Sequence, residues 1–254
     1  MTKIIAIHSY RGGTGKSNLT ANVATMVAQA GNGNRVAIVD TDLPSPGIHV
    51  LFGLNEDQMK NNLNGYLWRK YPIEKAALDV SHIMNKKAAN SAMYLVPSSI
   101  KVSDISRILR EGFDFEFMLE GFKNLTKSLK LDYLFIDTHP GLNQETLVSL
   151  TISDMVLYIM RPDSQDLQGT AVTVDVARKL QVPKIRIVIN KALKEYNFAQ
   201  LAQEVESNYK IRVAGIIEQS DAVMRLASKG IFAARYPDNQ ISKVIQGIAR
   251  QVMT

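Results

Sequence analysis

Seven residues, Arg11-Gly12-Gly13-Thr14-Gly15-Lys16-Ser17, stand between the apolar run Ile4-Ile5-Ala6-Ile7 and a long amphipathic segment that opens near Asn18. A strand, a glycine-rich turn ending in Lys-Ser, and then a helix is a layout that grips phosphate. Backbone N–H groups of the turn point inward as donors, and the helix N-terminus adds partial positive charge. Lys16 is placed to reach β- and γ-phosphates, and the Ser17 hydroxyl to sit on magnesium. The nucleotide-binding set read from this stretch is Gly12, Gly13, Thr14, Gly15, Lys16, Ser17 and Asn18. Three more polar residues, Asp40, Asp137 and Asn190, each come directly after an apolar strand pattern. Ligands of open α/β sheets bind at the carboxyl ends of the strands. One aspartate in such a place is equally a helix cap or a turn residue. Four strand ends carrying such groups argue for one site.

The usual phosphate loop has a glycine five residues before the Gly15-Lys16 pair, where this chain has Tyr10. The paired glycines come later and a cation precedes them. This compressed form resembles the deviant Walker A box of the ParA/MinD family of ATPases, K-G-G-x-G-K-S/T. The resemblance implies ATP and Mg2+ as cofactors. Asp40-Thr41-Asp42 is similar to the D-x-D of the family's first switch region. By that likeness Asp40 lies near magnesium and Asp42 orients or activates the attacking water, which suits phosphoryl transfer. Asp137-Thr138-His139-Pro140-Gly141 resembles the Walker B and second switch, D-T-P-P-G, with Asp137 holding magnesium through water. His139 stands where the family has proline. Its ordinary titration lies near neutrality, but it is read as packing or facing solvent, with no catalytic role. Asn190-Lys191 matches the base-reading position, since an amide both donates to and accepts from adenine. Glu218 is a second base-loop candidate, at a position where MinD-like members have proline.

Arg11 departs furthest from the pattern. The family's lysine here reaches across a two-fold interface to the partner's nucleotide. Arginine keeps the charge but is planar and forks onto oxygens. Three readings compete: action in trans, action in cis, or an exposed cation near the nucleotide. The first is taken here, and Arg11 joins Lys16 and Asp42 as a catalytic candidate. The register extends through residues 222–230, so the resemblance covers nearly the whole chain and is weakest over 55–92.

The elements that must position these groups follow from periodicity. Strands are predicted at 4–7, 36–39, 94–97, 132–137, 155–160, 184–189 and 213–217. Helices are predicted after the glycine-rich turn and at 63–67, 73–78, 103–109, 115–129, 146–152, 166–180, 198–209, 222–228 and 242–253. In the first helix, Leu19, Val23, Met26, Val27 and Ala30 share a face, and residues 31–34 stop it. Trp68 and Tyr71 are expected to cover the sheet. Strands joined by helical crossovers predict an α/β fold, a mostly parallel twisted sheet with helices on both faces, within a single domain over residues 1–254.

Composition narrows the function. The chain of 254 residues is 46% hydrophobic and carries a formal net charge of +6. That charge is compatible with nucleic acid or an anionic membrane. There is no cysteine, hence no thiolate metal site and no cysteine nucleophile. No apolar run of about 18 residues suggests a bilayer span, and a cytoplasmic, nucleoid-associated protein is expected. Ile241, Val244, Ile245, Ile248 and Val252 form a C-terminal apolar stripe. It is read as packed on the domain, the alternative being the membrane grip of MinD proteins. Arg225, Lys229, Arg235, Lys243 and Arg250 are candidates for a diffuse phosphate-binding surface.

The resemblance therefore implies a switch ATPase that sandwiches ATP in a homodimer and binds non-specific DNA. A cargo-linked adaptor would stimulate hydrolysis, and the cargo would be a plasmid, a chromosome region or an organelle such as a carboxysome. Three rivals remain at this point: a MinD-like membrane-surface ATPase in spatial regulation, a metabolic or metal-insertion ATPase of the same broad fold, and a degenerate nucleotide-binding scaffold that does not hydrolyse.

Overall fold

In the computed structural model, which describes residues 1–31, 33–85 and 89–254, eight strands form one sheet. They are β1 (Lys3–His8), β2 (Arg35–Asp40), β3 (Leu78–Asp79), β4 (Ala92–Val96), β5 (Tyr133–Asp137), β6 (Met155–Met160), β7 (Lys184–Ala192) and β8 (Val213–Glu218). The spatial order is β3-β4-β2-β5-β1-β6-β7-β8, and every pairing is parallel except that of β3 with β4. The expected α/β architecture is thus present, with one short antiparallel edge. From β1 the chain builds outward to one side and later to the other. The phosphate turn therefore leaves the middle of the sheet, where ligand crevices form.

Strand alternation sorts the core into two layers. Ile5, Ile7, Val36, Ile38 and Phe135 face helices α1 (Lys16–Ala28), α9 (Phe232–Arg235) and α10 (Gln240–Met253). Residues one step along, such as Ala37, Val39, Leu134 and Ile136, face α2 (Leu63–Leu67) and α4 (Phe115–Ser128). Beside them Ala6, Val156 and Tyr158 meet α6 (Ser164–Lys179) and α7 (Phe198–Tyr209). The remaining helices are α3 (Val102–Glu111), α5 (Gln144–Thr151) and α8 (Asp221–Leu226). With both faces covered, central strands read as continuous apolar runs.

Several boundaries differ from the sequence expectation. Helix α1 starts at Lys16, not near Asn18, because Gly15 takes a left-handed conformation and acts as its N-cap. It ends at Ala28, so Ala30 is exposed and outside the helix. Asn32 of the expected stop signal lies outside the described residues. The predicted helix over 73–78 is a short 3-10 turn, Ile73–Ala76, followed by edge strand β3. Pro72 starts that turn, and β3 hydrogen-bonds to β4, which competes with continuing a helix. Strand β7 continues through Asn190 to Ala192. Trp68 and Tyr71 do pack against the layer of α2 and α4. Trp68 also lies under the Arg107 guanidinium, 4.5 Å from it.

The C-terminal stripe is packed inward, as expected: Ile241, Ile245, Ile248 and Val252 are all buried against the first core layer. Among the described residues no helix is long and apolar enough to cross a membrane.

One glycine tests this packing. A Cβ on Gly121 of α4 would come within 2.6 Å of the ring of Tyr66. Tyr66 is held by a hydrogen bond from its hydroxyl to the Phe117 carbonyl (2.7 Å) and by stacking on Phe117. Alanine normally favours a helix interior by about 1 kcal/mol over glycine. Here the clash dominates, so Gly121→Ala should destabilise the protein by about 1–3 kcal/mol, read as a lower midpoint in urea unfolding.

Candidate active site

Asp40 and Asp137 are paired neighbours at the carboxyl ends of β2 and β5. Both are essentially out of water. Lys16, on the first turn of α1, places Nζ 3.0 Å from Asp137 Oδ1 and 4.0 Å from Asp42 Oδ2. The same Asp137 oxygen accepts from the Thr20 hydroxyl at 2.9 Å. Burial raises the Asp40 carboxyl well above its ordinary range, and the neighbouring Asp137 and Asp42 add to the shift while Lys16 opposes it. The Asp42 backbone N–H donates to Asp40 Oδ1. Asp40 Oδ2 and Asp137 Oδ2 are buried and have no hydrogen-bond partner.

Those two oxygens, like the Ser17 hydroxyl, are hard donors of the kind Mg2+ prefers. Among the described residues no group of three His, Cys, Asp or Glu is arranged to hold a metal by itself. Magnesium is commonly held by one or two carboxylates together with substrate phosphates rather than by an all-protein cage. The donor set fits that habit.

The glycine-rich turn is built for an anion. Gly13 and Gly15 have φ of +76° and +98°, a region costly for residues with a Cβ. A Cβ on Gly15 would lie 2.5 Å from the Asn190 amide nitrogen. No side chain caps the start of α1, so its first N–H groups face the turn. Residues 12–18, with Ser9, Asp42, Ser45, His139 and Pro140, line a cavity of about 380 Å3. All of the expected phosphate residues, Gly12 to Asn18, are therefore brought together.

Asn190 does more than line a pocket. Its amide donates to the Thr14 carbonyl (2.7 Å), and Lys191 donates to the Gly13 carbonyl (2.8 Å), so the end of β7 braces the turn. A larger cavity of about 610 Å3 opens beside it, lined in part by Gly15, Asn18, Arg161, Asn190 and Glu218. Its walls include Ile217, Val223 and Phe232. An apolar slot with a few polar groups, reached from the phosphate turn, has the character of a nucleobase pocket. Both Asn190 and Glu218 fall there.

A match to the AAA domain family model spans residues 2–195. The chain belongs to the ParA/MinD family of P-loop ATPases. The septum site-determining protein MinD of Bacillus subtilis is 24% identical over 259 residues, covering 100% of this chain and 90% of that protein. An iron-sulfur cluster carrier protein of Aquifex aeolicus is 26% identical over 262 residues, covering 97% of this chain and 66% of the carrier. The solved structure of Pyrococcus horikoshii MinD complexed with Mg-ADP superposes with a TM-score of 0.80 at 21% identity, over 99% of this chain and 96% of that one. At that identity the likeness carries the fold.

Two features of this family member were not read from the sequence. Arg11, the residue in place of the family lysine, is engaged within its own chain. Its Nη2 lies 2.9 Å from Asp163, its Nε 2.8 Å from Asp166, and its Nη1 donates to Gln165. All three partners sit at the start of α6, where Asp163 is the N-cap. Arg161, which lines the base pocket, reaches both Asp163 and Asp166. Burial raises the Asp166 carboxyl, Asp163 raises it further, and Arg11 opposes this. The sequence Asp163-Ser164-Gln165-Asp166, separated from β6 by two residues, was the available signal, because it marks a carboxylate-rich helix cap at that end of the sheet. The second feature is His139, which the sequence reading left to packing or solvent. Its Nδ1 is 2.6 Å from Asp42 Oδ1.

A second histidine contact joins the end of β1 to the segment after β5. His8 is buried, and its Nδ1 is 2.8 Å from the Thr138 hydroxyl, which itself donates to the Ile7 carbonyl. Nδ1 therefore carries the proton. Burial, reinforced by the charges of Lys16 and His139, lowers the His8 pKa from 6.5 to about 3. His8 thus stays neutral in the fold, whereas the unfolded chain takes up a proton below about 6.5. Its linked stability is complete above that value, declines as pH falls through it, and levels near the folded value. Wild type should lose about 2 kcal/mol more than His8→Asn between about pH 7.5 and about pH 5. Urea titrations of both proteins at each pH measure that difference.

Proposed function

We propose that residues 1–254 form one ATPase unit that hydrolyses Mg-ATP, sandwiches the nucleotide in a homodimer, and binds non-specific DNA in that state. Hydrolysis releases the dimer. A cargo-linked adaptor stimulates the step, so that a plasmid, a chromosome region or a protein organelle such as a carboxysome is positioned or segregated. The observation that carries this reading is the place of α8. One side of it, Val223 and Met224 with Ala227 just beyond, lines the base pocket. The other side, Asp221, Ala222, Arg225 and Leu226, lines a cleft of about 600 Å3 with Lys229, Arg235, Tyr236 and Asn239, three cations against one carboxylate. A six-residue helix shared by a base pocket and a basic cleft ties nucleotide state to surface affinity. Of the five cations read as a DNA surface, Arg225, Lys229 and Arg235 line this cleft, while Lys243 and Arg250 are exposed on α10.

Within the site, Lys16 neutralises phosphate charge, Ser17, Asp40 and Asp137 would hold Mg2+, and Asp42 orients the attacking water. Bound magnesium would supply charge neutralisation across the transferring phosphoryl group. Asn190 and Glu218 face the base. Arg11 acts on the partner's nucleotide, which requires it to exchange Asp163 and Asp166 for phosphate oxygens. The membrane alternative loses its main element, because the apolar face of α10 is occupied by the domain core. Iron–sulfur carriage finds no cysteine in this chain.

Lys16→Ala should abolish ATP binding, measured by fluorescence anisotropy of a labelled nucleotide; normal affinity would remove the phosphate assignment. Asp42→Ala should bind ATP and accumulate as dimer in light scattering while turnover falls by about 100-fold or more. Normal hydrolysis by that variant would exclude the water-orienting role. Binding to a labelled duplex of arbitrary sequence should weaken with salt, and the triple change Arg225→Ala, Lys229→Ala, Arg235→Ala should lower the salt slope by about one per lost phosphate contact. Flotation with anionic vesicles and ATP, without duplex binding, would instead establish a membrane partner.

A further inference from the structure

We propose that His139 is a positioning residue for Asp42, joining the segment after β2 to the segment after β5 so that one carboxylate oxygen is held and the other is left for water. The inference rests on the reading of Asp42 given above and adds a residue to it. The geometry divides the carboxylate in two. Asp42 Oδ1 lies 2.6 Å from His139 Nδ1 and accepts the Ser45 backbone N–H at 3.2 Å. An ionised carboxylate only accepts hydrogen bonds, so Nδ1 is the donor. Asp42 Oδ2 faces the other way, 4.0 Å from Lys16 Nζ. Both Asp42 and His139 line the phosphate cavity.

The competition at Asp42 gives the histidine its work. Lys16 is the nearest cation to the free oxygen, and it is itself fixed by Asp137 at 3.0 Å. With His139 removed, Oδ1 keeps only the longer Ser45 N–H contact at 3.2 Å, and the carboxylate turns toward the ammonium and closes the salt bridge. The oxygen needed to orient water is then drawn onto Lys16. His139 opposes that rotation from a segment braced independently. Its backbone carbonyl accepts the Thr146 hydroxyl, and Asn143 caps the same helix, α5. Proline, which the family motif carries at this position, has no side-chain donor to do this.

The test is steady-state hydrolysis of Mg-ATP at saturating protein, with nucleotide affinity measured separately. His139→Ala should lower kcat about tenfold, with KM and ATP affinity unchanged, as expected when a residue orienting a reactive group is lost. His139→Asn, whose amide nitrogen takes the place of Nδ1, should recover most of the rate. In an Asp42→Ala background His139→Ala should have no further effect, because the two residues act as a unit. Unchanged kcat in His139→Ala overturns the proposal. So does a loss that Asn fails to restore, a rise in KM in place of a fall in kcat, or additive losses in the double variant. The two readings fail separately: full activity in Asp42→Ala removes the role of Asp42 itself, whereas an inactive Asp42→Ala beside a normal His139→Ala removes only that of His139.

Discussion

Asp40 and Asp137 end neighbouring strands in register, both buried, and the burial of two carboxylates side by side is the constraint around which this active edge is arranged. Removing charge from water costs several kcal/mol per ion unless it is matched. Lys16 supplies the match from the first position of α1, where the left-handed Gly15 caps the helix. Asp137 is bound further by Thr20 from the next turn of the same helix. The first helix, the two central strands and the glycine-rich turn are therefore fixed by one electrostatic requirement. Two carboxylate oxygens remain without hydrogen bonds, and hard oxygen donors next to a phosphate turn are what a magnesium nucleotide needs.

A second layer of polar contacts supports the first. Asn190 and Lys191 brace the turn from β7, and the acidic start of α6 clamps Arg11 while also meeting Arg161 at the base pocket. The Arg11 charge is thus held against its own chain. Its release carries the cost of leaving Asp166, nearly all of it buried, without that cation. On the far side, α8 lines two cavities at once, one beside the phosphate turn and one with Arg225, Lys229 and Arg235.

The main lines of the fold were legible because both-sided burial writes continuous apolar runs into parallel strands, and helices write a different period between them. Met155–Met160 and Phe198–Tyr209 have the predicted bounds. The phosphate turn was legible because phosphate binding demands glycines and a lysine at fixed local spacing. The helix expected over 73–78 failed where local pattern met a long-range partner: β3 pairs with β4 some sixteen residues on. Likewise Asn190 and Glu218 were singled out from their strand ends, but the bracing of the turn by Asn190 was not.

By itself the sequence determined the family, the phosphate turn, the strand-end carboxylates and the alternation of strands and helices, since each depends on residues close along the chain. The tertiary structure alone decided which of these groups touch. Arg11 meets Asp163 across 152 residues, and Asp42 meets His139 across 97. Such pairs are set by strand order and by the angle at which each loop leaves its strand, and neither leaves a local period or spacing to be read. That is why His139, a bystander by its motif alone, is found on the Asp42 carboxylate.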